Sequence, residues 1–71
     1  MNEITNADRA ERLHRVLETY NDEWDTHANL IDLLADARHW CDKHRLDFAK
    51  LDRTAYGQYL VQFADEQRRP V

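Results

Sequence analysis

The chain has 71 residues, of which 42% are apolar and 34% are charged, a balance typical of one small globular domain. A net charge of −4 disfavours direct nucleic-acid binding, which relies on a basic surface, and a single cysteine excludes an internal disulfide. No run approaches the roughly 20 apolar residues of a membrane span, and the first residues show no secretory signal. We therefore expect a cytoplasmic protein that makes no membrane contact.

The scarcity of helix-breaking residues predicts an all-α fold, because the chain contains one glycine and one proline. Apolar residues recur with a helical period, and only short turns separate the periodic segments. The sequence therefore predicts one domain, residues 1–71, built as a compact three-helix up-down-up bundle. The predicted helices cover residues 6–21, 26–44 and 48–67. The predicted frayed ends are residues 1–5 and 68–71.

The first helix begins with a capping signal, since Thr5 is followed three residues later by Asp8. An apolar stripe about 120° wide then predicts the side that faces the core. The stripe consists of Ala10, Leu13, Val16, Leu17 and Tyr20.

The first turn concentrates negative charge in the stretch "ETYNDEWD", residues 18–25. Residues 1–25 hold seven acidic and three basic side chains, whereas the rest of the chain is balanced. Trp24 lies within this stretch, and the favoured interpretation is an apolar plug between the first two helices. The alternative is an anchor for a basic partner protein. The protein-binding residues would then be Glu18, Asp22, Glu23, Trp24 and Asp25.

The second helix is expected to begin at a cap formed by Asp25 or Thr26. Its spacing places Asp32 and Asp36 on the solvent side. The predicted core side consists of Leu30, Leu33, Leu34, Ala37, Cys41 and His44.

The stretch "HWCDKH", residues 39–44, raises the question of a metal or thiol site. His39 and Cys41 are two residues apart, so on a helix they point in opposite directions. Cys41 and His44 share a side, but they lack further ligands apart from a distant approach by His14. A small Cys/His metal-binding protein is therefore a minor alternative. We expect no metal, no cofactor and no catalytic residue, with Cys41 buried and His44 at the helix end.

The third helix is expected to begin after Asp47, its predicted N-cap. Asp52 falls inside the apolar side, which is unfavourable for a carboxylate. The sequence therefore predicts either a bend near Asp52 or an ion pair with a base such as Lys43 or Arg45.

The apolar arc of the third helix is about 220° wide, roughly twice what packing in a small bundle requires. The part expected to pack against the first two helices as core consists of Phe48, Leu51, Ala55, Tyr59 and Phe63. The surplus predicts association, and the simplest form is a homodimer. The predicted self-association residues are Tyr56, Leu60, Ala64, Ile31 and Ala35.

Residues 29–62 contain the pattern N-L-I-D-L-L-x-D followed by L-D-F. This stretch resembles small all-helical bacterial proteins that are often encoded on plasmids, phages and integrated elements. The resemblance implies a bacterial source and a mobile-element setting, and it assigns no functional residue.

Two functions remain open. The first is a non-catalytic helical interaction protein that binds another protein or itself. The alternative is an inhibitor of a host defence or nucleic-acid-binding protein that acts through an acidic surface. A continuous row joining residues 18–25 to Asp32 and Asp36 would favour the inhibitor.

Overall fold

The structure is a computed structural model that describes residues 4–69. It contains three helices and, within those residues, no strand: α1 (Asn6–Tyr20), α2 (Thr26–Lys43) and α3 (Phe48–Arg68). The predicted all-α three-helix bundle is confirmed, with helix boundaries that differ from the prediction by one residue at most. The outermost parts of the predicted frayed ends, residues 1–3 and 70–71, lie outside the described residues.

Each helix begins at a side chain that accepts a backbone hydrogen bond. Thr5 and Asp8 form a reciprocal capping box, in which each side chain accepts from the other residue's N–H. The N–H of Thr5 stabilises the charged carboxylate, and this lowers the pKa of Asp8. Asp25 and Asp47 each accept from the N–H three residues further on. Local sequence therefore determines where all three helices start.

The C-terminus of α2 ends in a Schellman motif. The N–H of Leu46 donates to the carbonyl of Cys41 over 2.8 Å, and the N–H of Arg45 donates to the carbonyl of Asp42 over 3.2 Å. Arg45 has φ 58°, in the left-handed region where a side chain costs roughly 1–2 kcal/mol. The second turn is therefore closed by backbone hydrogen bonds at a position that would favour glycine.

The three helices meet pairwise near their ends. The start of α1 contacts the end of α3, because Asn6 donates to the carbonyl of Gln62 and to the carboxylate of Glu66. At the other end of α1, residues 17–24 contact α2, while α2 and α3 meet where the guanidinium of Arg38 lies 4.4 Å from the ring centroid of Phe48. α1 therefore contacts α3 near its start and α2 near its end.

This arrangement buries few side chains. The radius of gyration is 14.8 Å, against about 11 Å for a typical folded chain of this length. Within the described residues only Leu17, Cys41 and Asn29 are buried. Leu17 is thus the one deeply buried member of the predicted α1 stripe, and the others remain at least partly exposed.

α3 runs without interruption through Asp52. The two predicted alternatives were a bend and an ion pair with Lys43 or Arg45, and neither is found. Asp52 is exposed and forms no ion pair within residues 4–69. The prediction assumed that a neighbouring helix covers this side of α3, whereas here it is open to solvent.

Candidate functional site

The first turn is organised around a buried amide. The side-chain nitrogen of Asn29 donates to the carbonyls of Leu17 (2.7 Å), Asn21 (3.1 Å) and Trp24 (3.4 Å). Asn29 has no exposed surface, and its Oδ1 has no hydrogen-bond partner within the described residues. The burial of Asn29 was not predicted, because a single asparagine in an amphipathic helix gives no signal of burial. Asn29 therefore fills the space between α1 and α2 that Trp24 was predicted to fill.

Trp24 itself remains 51% exposed at the surface of the turn. It lines a shallow depression of about 370 Å³ together with Glu23, Asp25 and Ala28. The predicted plug is therefore wrong for this side chain. Its alternative role as a binding anchor stays a prediction.

The predicted acidic residues do not form one continuous row. Glu18 lies 3.9 Å from His14 in an exposed contact along α1. Tyr20, two residues on, points about 160° away around the helix axis. The hydroxyl of Tyr20 donates to the carboxylate of Asp36 over 2.5 Å. Glu18 and Asp36 therefore lie on different sides of α1.

The α2 carboxylates differ in exposure. Asp36 is exposed, in agreement with its predicted position on the solvent side, whereas Asp32 is half-buried. The hydrogen bond to Asp36 raises the pKa of Tyr20 to about 12, with smaller contributions from desolvation and from the charges of Asp36 and Asp32. Asp36 therefore links α2 to α1 at the protein surface.

The cysteine–histidine stretch forms the end of a helix. Cys41 is 4% exposed, as expected for a structural thiol, and His39 is exposed. His44 is the C-cap of α2, and its ring lies 4.3 Å from the ring of Trp40. Across the part of the chain that the structure describes, no three His, Cys, Asp or Glu side chains are placed to share a metal ion.

An apolar depression lies between the second half of α2 and the first half of α3. Its volume is about 440 Å³, and we call it the α2–α3 groove. Among the described residues that line it, Asp52 carries the one carboxylate and Cys41 the one thiol. The apolar side chains that line it include Leu34, Ala37, Trp40, Phe48, Leu51 and Ala55.

A second apolar depression, of about 310 Å³, lies between the first half of α1 and the second half of α3. Tyr59 and Phe63 line it from α3, and their ring centroids are 6.2 Å apart. The two depressions open on the same side of α3. We call that side the inner stripe, and it consists of Phe48, Leu51, Ala55, Tyr59 and Phe63.

The predicted self-association residues lie elsewhere. On α3, Tyr56 and Leu60 are exposed beside the inner stripe, and Ala64 is half-buried. On α2, Ile31 and Ala35 are exposed, and neither lines the groove. The sequence analysis treated the inner stripe as core and so missed it as a surface, because periodicity shows which side is apolar but not what covers it.

Within residues 4–69, no helix has the length and apolar content needed to cross a membrane. The resemblance of residues 29–62 to mobile-element proteins stays a prediction. Comparison of the chain with protein-family models, with curated proteins and with solved structures gave no match.

Proposed function

We propose that this chain is a non-catalytic protein-interaction module that docks a partner on the α2–α3 groove and the inner stripe. The observation that carries the proposal is the accessible surface of 6456 Å². A folded monomer of 8.5 kDa typically exposes only about 4,650 Å². The chain alone therefore exposes about 1,800 Å² more than a self-sufficient domain of its size.

The chemistry of the exposed surface favours a protein partner. Large apolar patches on small domains mark interaction sites, and aromatic side chains contribute most to binding where they enter a closed interface. Trp40, Tyr59 and Phe63 are each about half-exposed on this surface. Covering each 100 Å² of apolar surface gains about 2.5 kcal/mol. The whole fold of a chain this size is typically stable by only about 4–10 kcal/mol, so docking would contribute substantially.

The groove offers little that supports catalysis. Its thiol, Cys41, is buried, and its carboxylate, Asp52, forms no ion pair with a base within residues 4–69. A nucleophile or a general base needs a second group that activates or orients it. The groove therefore favours binding over chemistry. The acidic inhibitor has less geometric support, since Glu18 and Asp36 lie on different sides of α1.

The proposal is tested by photo-crosslinking in the cell that makes the protein. A photoreactive phenylalanine analogue replaces Leu51 in the groove, and the matched control carries it at Arg12, an exposed position on α1. We expect the analogue at Leu51 to form a covalent adduct with a polypeptide, either a second copy or another protein. Adduct yields at Leu51 no higher than at Arg12 would remove the groove as a docking surface.

A further inference from the structure

We infer that the occupant of the α2–α3 groove is a second copy of this chain, which packs its inner stripe antiparallel to that of the first copy. The inference rests on the proposed function, because it names the partner for the same docking surface. The two-fold axis of the dimer passes close to Ala55. Each chain then contributes the same surface and receives the same surface.

The first support is the near-palindromic order of the inner stripe. Leu51 and Tyr59 each lie four residues from Ala55, and Phe48 and Phe63 lie seven and eight residues from it. An isologous interface requires that residue i meets residue j while j meets i. An antiparallel pair about Ala55 satisfies this requirement, since Leu51 then lies opposite the partner's Tyr59. The stripe is thus complementary to itself.

The second support is the size of the central and flanking residues. Ala55 is the smallest side chain of the stripe, so two helices can approach there to the short end of the usual 8–10 Å separation. The stripe extends for about 22 Å from Phe48 to Phe63, which is long enough for an extensive helix–helix contact. The larger residues at both ends then fill the two depressions beside α3.

The third support is the surplus of accessible surface area on the single chain. A standard stable interface buries about 800 Å² on each partner, and obligate homodimers bury about 1,000–2,500 Å² on each. The surplus of about 1,800 Å² falls within the obligate range and is more than twice the standard value. A small ligand in the groove would cover only its own part of the stripe. A second copy covers both depressions at once.

The charge of Asp52 does not oppose this arrangement. Asp52 lies three residues from Ala55, so the Asp52 residues of the two antiparallel chains are at least about 9 Å apart along the helix axis. Both carboxylates stay at the exposed edge of the groove, where water and salt screen their repulsion. The inner stripe itself consists of apolar and aromatic side chains, none of which is a carboxylate, an amine or a guanidinium.

Among residues 4–69, two intramolecular ways to cover the stripe are not observed. Ile4 is half-exposed and is not among the residues that line the groove. Tyr56 is 61% exposed on a continuous α3, so no bend rotates it over the stripe.

The experiment compares two leucines of α3. Leu51 and Leu60 are both 47% exposed, and their separation of nine residues places them on opposite sides of the helix. Sedimentation equilibrium of the purified chain at micromolar concentration should give twice the chain mass of 8.5 kDa. Because each dimer carries the change twice, Leu51→Glu should raise the dissociation constant by at least about 100-fold. Leu60→Glu should leave the dimer intact.

A second measurement does not depend on a charged substitution. In a Cys41→Ala background, Ala55→Cys should form an intermolecular disulfide under mild oxidation, because residues near the two-fold axis lie close together. Leu60→Cys in the same background should form none. Equal crosslinking at both positions would overturn the antiparallel pairing. The disulfide measurement also tests the antiparallel pairing if Leu51→Glu does not fold.

Three further outcomes separate this inference from the proposed function. A dimer that Leu60→Glu dissociates and Leu51→Glu preserves would overturn the groove as the self-association surface. A monomeric chain whose photoreactive group at Leu51 captures a different protein would overturn the second copy and retain the docking surface. A monomer without any adduct at Leu51 would overturn both.

Discussion

The junction between α1 and α2 differs from the junction between α2 and α3 in how its contacts are completed. At the first junction, Asn29 donates to three backbone carbonyls, Leu17 is buried, and the hydroxyl of Tyr20 donates to Asp36. At the second, Cys41 is buried and the backbone is closed, but the adjoining groove stays open. The chain thus pairs the backbone carbonyls of its polar junction internally, although Asn29 Oδ1 has no partner within residues 4–69, and it leaves its apolar junction open.

The difference has a physical reason. Buried backbone carbonyls must find donors within the chain, because leaving each unpaired costs about 1–3 kcal/mol. An apolar surface has no directional requirement, so any complementary apolar surface can cover it. We therefore expect single substitutions at the first junction to affect folding. Substitutions in the groove should mainly affect association.

The largest expected effect comes from the buried amide of Asn29. Asn29→Ala removes the donor that three carbonyls share, and we expect a loss of about 2–4 kcal/mol in the free energy of unfolding. Asn29→Asp keeps the shape but places a carboxylate against those carbonyls, so it should destabilise the chain even more. Urea unfolding followed by circular dichroism, at one fixed protein concentration, measures both.

The matched control is Asn21→Ala at the same turn. The side chain of Asn21 accepts from the N–H of Glu23 in an exposed contact, so its loss should cost no more than about 1 kcal/mol. Equal unfolding free energies for Asn29→Ala and Asn21→Ala would show that the buried amide does not hold the first junction.

The helix starts could be predicted from sequence, because a cap depends on one side chain and the next few backbone N–H groups. Thr5 and Asp47 were identified in this way, and Asp25 was one of two candidates for α2, with Thr26 as the other. Each of the three N-caps accepts the expected hydrogen bond. The burial of Asn29 could not be predicted, since it depends on where the carbonyls of the preceding helix end. The left-handed conformation of Arg45 was also missed, because arginine does not indicate a positive φ.

The candidate surface was predicted only in part. The surplus of apolar side chains on α3 was evident from its period, but the sequence analysis assigned the inner stripe to the core and Tyr56 and Leu60 to the interface. Leu51 is as exposed as Leu60 in the structure. The two sides of α3 could not be ranked from periodicity, because the placement of α1 and α2 against α3 decides which side is covered.

A smaller effect is expected at the second junction. Arg45→Gly relieves the cost of a side chain at φ 58°, and we expect the free energy of unfolding to rise by about 1 kcal/mol. The control is Lys43→Gly, at the last residue of α2, which should lower it by up to about 1 kcal/mol. Thermal and urea unfolding check both variants. A decrease for Arg45→Gly would mean that the arginine side chain stabilises the turn by more than its backbone strain costs.

The smallest effect concerns the pH dependence of the first junction. Folding raises the pKa of Tyr20 from its ordinary value of 10.0 to about 12, since the hydroxyl donates to the Asp36 carboxylate. A group whose pKa is raised by folding adds stability below its unfolded pKa, and that stability is lost as the pH rises through the folded pKa. The contribution of this contact should therefore be complete below pH 10 and disappear between about pH 10 and 12.

Unfolding free energies measured across this range should fall more steeply for the wild type than for Tyr20→Phe. Asp36→Asn should remove the same excess slope, because an amide does not stabilise the protonated phenol through a negative charge. Parallel profiles for the wild type and both variants would mean that the hydrogen bond between Tyr20 and Asp36 adds no pH-dependent stability to the first junction.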